Sequence, residues 1–242
     1  MWTVFPALAL LQQGSSLTFG TDPTEPLTRF EVVYEHAEPG GRDVLDLATV
    51  RVDVGFFDRF VLRADVPFAR VEPGDGAAEK GIGDVRAQVG WRAFSDPDFS
   101  VFFGAGVVLD SAEEDVLGDG QKQVFPIVAA SGALPEIRSR LYETIEHFVS
   151  FDSDPERMGV ALTRLDVHLM TEWSPSVWTQ AGGELFVDWK GGDQVGMNFD
   201  VEIGTSFGSG MGMWIRPGIG VFGDEVPGVV DWSVEAGIRW VF

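Results

Sequence analysis

The chain has 242 residues, 45% of them hydrophobic and 12% aromatic, which suffices for one large all-β domain or two small domains and is too apolar for disorder. A formal charge of −21, with only 17 Lys plus Arg scattered singly, excludes the basic face that phosphate binding needs, and with it nucleic acid. There is no cysteine for disulfides or thiolate sites, and no run of ~18 apolar residues for a transmembrane helix, so any membrane span must be a closed β-barrel.

The opening stretch, MWTVFPALALLQQGSS, is apolar but has no Lys or Arg before it, so it lacks the basic start of a secretory signal. With Pro6, Pro23 and Pro26, residues 1–27 are expected to form an irregular periplasmic leader, either a plug or the remnant of a signal. Residues 28–242 then break into twelve segments separated by turn residues: 28–37, 42–56, 60–72, 82–94, 99–110, 123–132, 138–151, 158–173, 177–190, 194–207, 211–222 and 228–242.

Most segments alternate with a period of two, which is a strand and not a helix. In the fourth, Val85, Ala87, Val89 and Trp91 oppose Asp84, Arg86, Gln88 and Arg92. In the tenth, Val195, Met197, Phe199, Val201 and Ile203 oppose Asn198, Asp200, Glu202 and Gly204. The seventh segment departs from the pattern. Ile137, Leu141, Ile145 and Phe148 keep a helical spacing while Glu143 and Glu146 fall on opposite strand faces, so it is expected to be a bulged strand or, failing that, a helix. The last segment puts Val230, Trp232, Val234, Ile238, Trp240 and Phe242 on one face and Asp231, Glu235 and Arg239 on the other.

Connections alternate as well. Those after the even-numbered segments are tight (FDR, SDPD, SPS, GSG), and most of the others are longer and more acidic, such as EPGDGAAEKG and DSAEEDVLGDGQK. An outer-membrane barrel has this asymmetry, with short periplasmic turns and longer outer loops, whereas a soluble sandwich has no reason for it. Large aromatics sit beside the rims: Trp91, Trp173, Trp240 and Phe242 at the short turns and Trp189 opposite, with Trp232 on the same outward face. The predicted fold is therefore an all-β, antiparallel, up-and-down transmembrane barrel of about 12 strands in a bacterial outer membrane. Its partners would be outer-membrane lipids and lipopolysaccharide. The terminal Phe242 is similar to the C-terminal signal read by barrel-assembly machinery.

Four blocks, KGIGDVRAQVGWRAF, GAGVVLDSAEEDVLGDGQKQVFPIVAAS, HFVSFDSDPER and GGELFVDWKGGDQ, resemble in order the outer-membrane proteins grouped with the MetA-pathway phenol-degradation family, often labelled transporters. The resemblance covers most of residues 45–242 and implies a β-barrel associated in some members with aromatic-compound catabolism. It carries no catalytic residues.

Chemical sites are few. His36, His147 and His168 lie on different segments with no second ligand at metal spacing, so no metal or cofactor is expected. A barrel lipid hydrolase would need a Ser–His pair on the outer wall, but Ser139 and His147 are eight residues, roughly 26 Å, apart on an extended strand, too far for proton transfer. No catalytic residue is assigned. The inward faces set Arg51, Arg63, Arg86, Arg92, Arg164, Arg216 and Arg239 against Asp53, Asp65, Asp166, Glu184, Asp188, Asp200, Glu202, Asp231 and Glu235. Such charges must be paired or hydrated. Two functions follow: a channel for small polar or aromatic solutes through a narrow or partly plugged lumen, or a closed barrel that serves as a scaffold or wall component of an envelope assembly.

Overall fold

A computed structural model describes residues 19–39, 43–74, 76–153, 159–208 and 210–242. Residues 1–18 of the expected leader lie outside them. The described chain forms β1 (Arg29–Glu38), β2 (Val44–Phe56), β3 (Phe60–Glu72), β4 (Glu79–Ile82), β5 (Arg86–Ser95), β6 (Phe99–Val108), β7 (Gln121–Leu134), β8 (Ser139–Ser153), β9 (Ala161–Ser174), β10 (Val177–Asp188), β11 (Gln194–Phe207), β12 (Met211–Phe222) and β13 (Trp232–Val241). Twelve of these, all but β4, make one closed antiparallel barrel. Closure joins the two ends of the chain: β1 pairs with β13 over its full length, from Arg29↔Val241 to Glu38↔Trp232.

The fourth predicted segment, 82–94, forms β5 only from Arg86, and the short β4 lies ahead of it in the expected long loop. β3 pairs with β5 through Phe60–Asp65 and with the extra strand β4 through Phe68–Val71, so the interruption at 83–85 falls where both strands run along one neighbour. The long loop after β6 causes the break. The Asp84 carboxylate leaves the ladder to accept from the backbone N–H groups of Ser111, Ala112 and Asp119, and a Cβ on Gly83 would press on the Leu117 carbonyl at 2.9 Å.

The irregular seventh segment is a strand, β8, in unbroken register with β9 from Ser139↔Thr171 to Val149↔Ala161. Its irregularity is local: Lys122 pairs with Asp152 and Gln123 with Ser150, so β8 carries one extra residue, Phe151, near its end. Helical spacing of four apolar residues yields here to two flanking strands that pair with β8 along most of its length, which an isolated helix in that position could not do.

Turns of two to four residues join β2–β3, β5–β6, β7–β8, β9–β10 and β11–β12 at one end, and the longer connections stand at the other. The faces are inverted relative to a soluble protein. Val52, Leu62, Val89, Phe103, Val128, Ile145, Ile203, Ile215 and Ile238 are exposed on the outside, while Glu31, Asp53, Glu146, Asp200, Glu202 and Arg239 are buried within. Aromatics mark the outer rims: Trp91, Trp173 and Phe242 at the short-turn end are exposed, as is Trp189 at the other, where its Nε1 donates to Thr163 Oγ1 at 2.9 Å. Trp240 packs on Phe30, and Trp232 on His36.

Candidate functional site

The alternation of β1–β3 and β5–β13 places one charged or small residue in every two inside the barrel, and the register decides which of them meet. Arg51 lies directly across from both Asp65 and Glu31, Asp53 from Arg29 and Arg63, and Glu31 from Arg239. Each of these neighbours is an ion pair: Arg51–Asp65 at 2.8 Å, Arg51–Glu31 at 3.4 Å, Arg63–Asp53 at 2.7 Å and Arg239–Glu31 at 2.7 Å. On the far side Arg164 holds Glu146 at 2.8 Å and Asp166 at 3.3 Å. Arg216 holds Glu202, Glu235 at 3.4 Å and Asp200 at 3.7 Å.

Most of these pairs join adjacent strands, so they run along the wall and do not cross the lumen. Two bridges are longer. Arg86 of β5 reaches Glu146 of β8, passing over the rings of Phe125 at 4.1 Å and Phe148 at 5.2 Å, where the aromatic faces favour its cation. His168 of β9 reaches Asp200 of β11 at 2.9 Å across β10, at Gly182, where a side chain would collide with the imidazole.

What remains inside is a cavity of about 680 Å³. Its lining runs from Gly20, Thr21, Pro23 and Glu25 near the short turns to Pro39 and Gly228–Val230 near the long loops. Of the sequence candidates, Arg51, Arg63, Arg86, Arg164, Arg216, Arg239, Asp166, Glu184, Asp200 and Glu235 line it. Glu202 sits behind it, fully buried, accepting from Trp178 Nε1 at 2.6 Å and from Arg216. Asp188 caps the turn after β10 by accepting from the N–H of Lys190 and of Gly191.

Three candidates stand elsewhere than expected. Arg92 lies at the short-turn end of β5, still in register with Phe102, and its guanidinium donates to the Asp58 carbonyl at 2.7 Å. Asp231 is exposed and precedes β13, which begins only at Trp232. Val230, expected on the outer face, turns inward to the cavity because the loop before β13 folds over the mouth. Val226 and Val229 bury against Phe186, and Asn198 Nδ2 donates to the Gly228 carbonyl at 2.8 Å.

Several lining residues escaped the sequence pattern. Glu35 stands directly opposite Glu235 on the β1–β13 ladder. Glu35 and Glu184 have no ion-pair or hydrogen-bond partner among the described residues. Trp178 and Trp214 point inward, donating to Glu202 and Glu235, and each ring lies over a glycine of the neighbouring strand, Gly204 and Gly237, where a Cβ would overlap it. That large-over-small pairing was the available signal. Val61, Phe102, Ile127 and Ala129 form an apolar strip on the cavity wall.

The segment before β1 also belongs to the site. Phe19 stacks on Trp178 with ring centroids 4.6 Å apart, its carbonyl accepts from Arg239 at 3.0 Å, and Arg29 donates to the Gly20 carbonyl at 2.5 Å. Thr21 shares a hydrogen bond of 3.2 Å with the Tyr142 hydroxyl, Thr24 one of 3.3 Å with Ser131, and Asp22 lies 3.8 Å from Arg140.

No protein-family model and no curated protein matches the chain. Solved structures do resemble it. An outer membrane channel of the COG4313 group from Pseudomonas putida F1 superposes with a TM-score of 0.73 at 13% identity, over 90% of this chain and 96% of that one. The NanC porin gives 0.60 at 11% identity over 88% and 98%, and the KdgM porin, solved with disordered oligogalacturonate, 0.55 at 10% identity over 88% and 99%. The fold is thus that of outer-membrane barrels.

Proposed function

We propose that this protein is a bacterial outer-membrane channel for small polar or aromatic solutes, and that its lumen prefers cations to anions. One observation carries the reading. The inward arginines are spent on neighbouring carboxylates along the wall, yet a cavity of about 680 Å³ persists, and the lining charges left over are Glu35 and Glu184. A permeating ion therefore meets two carboxyl groups that no arginine contacts directly, in a narrow path of low dielectric where a charge acts strongly. The apolar strip of Val61, Phe102 and Ile127 offers a surface for an aromatic ring beside these charges.

Support for a membrane setting comes from the exposed apolar exterior and from neighbours that are themselves outer-membrane channels and porins. The phenol-degradation grouping is part of the proposal and rests on the four quoted blocks. Lipopolysaccharide around the wall and the assembly machinery acting on β13 and Phe242 complete the setting. Conductance and reversal potential of the purified protein in planar bilayers under a KCl gradient test the reading. A measurable conductance with K+ preferred over Cl− is expected. Bilayers silent at every voltage, for the parent and for a Phe19→Ala/Asp22→Ala variant alike, overturn the channel in favour of the scaffold, and a preference for Cl− overturns the assignment of Glu35 and Glu184.

A further inference from the structure

We infer that residues 19–27 are an intramolecular gate, a strap that seats across the short-turn mouth of the lumen and sets whether the channel conducts. The inference rests on the channel reading above. Counting round the closed sheet, β7 and β8 stand half-way from β1, yet the nine residues that precede the ring make polar contacts on both sides of it. On the near side Arg29 of β1 and Arg239 of β13 hold the carbonyls of Gly20 and Phe19. On the far side Ser131 of β7 and Tyr142 and Arg140 of β8 face Thr24, Thr21 and Asp22. A segment with partners on opposite walls lies across the opening.

The strap is also shaped for its place. Phe19 and Gly20 both adopt left-handed backbone angles, φ 52° and 72°, which turn the chain so that the Phe19 ring drops onto Trp178 while its carbonyl faces Arg239. Asp22 folds back to accept from the N–H and hydroxyl of Thr24 at 2.8 and 2.6 Å, making a compact turn, and Thr24 is fully buried. Pro26 then runs so close to β2 that only a glycine, Gly55, fits beneath its carbonyl.

The seat is nonetheless built differently from the wall. Among the described residues the strap is held by separate hydrogen bonds, a ring stack and a long ion pair, and no β-ladder runs through it. Segments held by few isolated contacts open at low free energy while the ladder stays intact. The residues that grip the strap, Arg29 and Arg239, keep carboxylate partners in Asp53 and Glu31, so release of the strap leaves neither arginine unpaired. The lumen therefore has two arrangements that differ only in the strap, which is the requirement for a gate.

The chain lacks cysteine, so a lock can be introduced cleanly. In the full-length double variant Thr24→Cys/Ser131→Cys, whose native hydroxyls are 3.3 Å apart, the strap is tied to β7 under diamide and freed by dithiothreitol. Single-channel recordings in planar bilayers are expected to show openings in the reduced protein, a loss of at least several-fold in open probability on oxidation, and recovery on reduction. The companion variant Phe19→Ala/Asp22→Ala, which removes the ring stack, the turn and the contact to Arg140 while leaving every wall residue unchanged, is expected to raise open probability several-fold above the parent. Equal conductance in oxidised and reduced forms, with the disulfide verified by mass, overturns the gate and leaves the channel reading standing. Silence in every form, Phe19→Ala/Asp22→Ala included, overturns both.

Discussion

Glu202 shows what an inward charge costs when its partners are removed. Its side chain is fully buried, accepts from Trp178 and Arg216, and lies behind the cavity lining. Replacing it by Ala strands the indole N–H and weakens the hold on Arg216, so a loss of about 3–5 kcal/mol is expected, read as a lower temperature of unfolding on heated gels. An unchanged unfolding temperature would show that water replaces the carboxylate. Glu35 and Glu184 are the opposite case. Without partners in the described protein, each can become Gln at little cost in stability, and the double change Glu35→Gln/Glu184→Gln is expected to lower the K+ to Cl− permeability ratio in the reversal-potential assay. Parity alone identified Glu184 and Glu202 as inward residues, but not that one is free and the other held. That distinction depends on the neighbour across the ladder, which is a property of register.

Among the elements, β13 exposes its apolar face to the outside and its charges to the lumen. Ile238 is exposed on that outer face, between Val32 of β1 and Met213 of β12. Ile238→Arg is expected to cost about 2–4 kcal/mol near a bilayer midplane and to reduce the yield of heat-resistant barrel, whereas a soluble sheet would accept it. β10 and β11 give a test of the inward side. Gly204→Val places a branched side chain where the Trp178 ring now lies, so the ring must leave its hydrogen bond to Glu202. Lower stability with β-structure retained in circular dichroism is expected, since the ladder itself is untouched. Alternation placed the ends of β1–β3 and β6–β12 to within about three residues, but β13 starts at Trp232 and not at 228, because the loop before it folds over the mouth, and β5 starts at Arg86 and not at 82, because β3 pairs there with β4; alternation carries no mark of either.

The whole molecule is a ring of short-range pairings closed by one very long one, β1 on β13, so it cannot be stable in parts. Its charge of −21 is distributed unevenly, with inward arginines matched and the surplus of carboxylates left to the lumen and the long loops, among them Glu113, Glu114, Asp224 and Glu225. Loop charges act over a Debye length of about 10 Å at 0.1 M salt and about 3 Å at 1 M, while charges inside the lumen are screened less. The cation preference is accordingly expected to fall between 0.1 and 1 M KCl but to persist in part. Its complete loss at 1 M would assign selectivity to the loops alone.

The sequence by itself determined the class of fold, for a physical reason. Side chains on a strand alternate with period two, so a face that must meet hydrocarbon and a face that must meet water are written directly into the order of residues. Short turns at one end, the aromatic rims and the absence of any span-length apolar run follow from the same constraint. Only the tertiary structure decided which charges neutralise one another, because that depends on strand neighbours and register far apart in the chain: Glu31 meets Arg239 across 208 residues. It also decided the place of residues 19–27. They have no periodicity to read, and their position is set by hydrogen bonds offered by Arg29, Arg239, Ser131 and Tyr142, by the stack on Trp178 and by the ion pair with Arg140, once the barrel has closed around them.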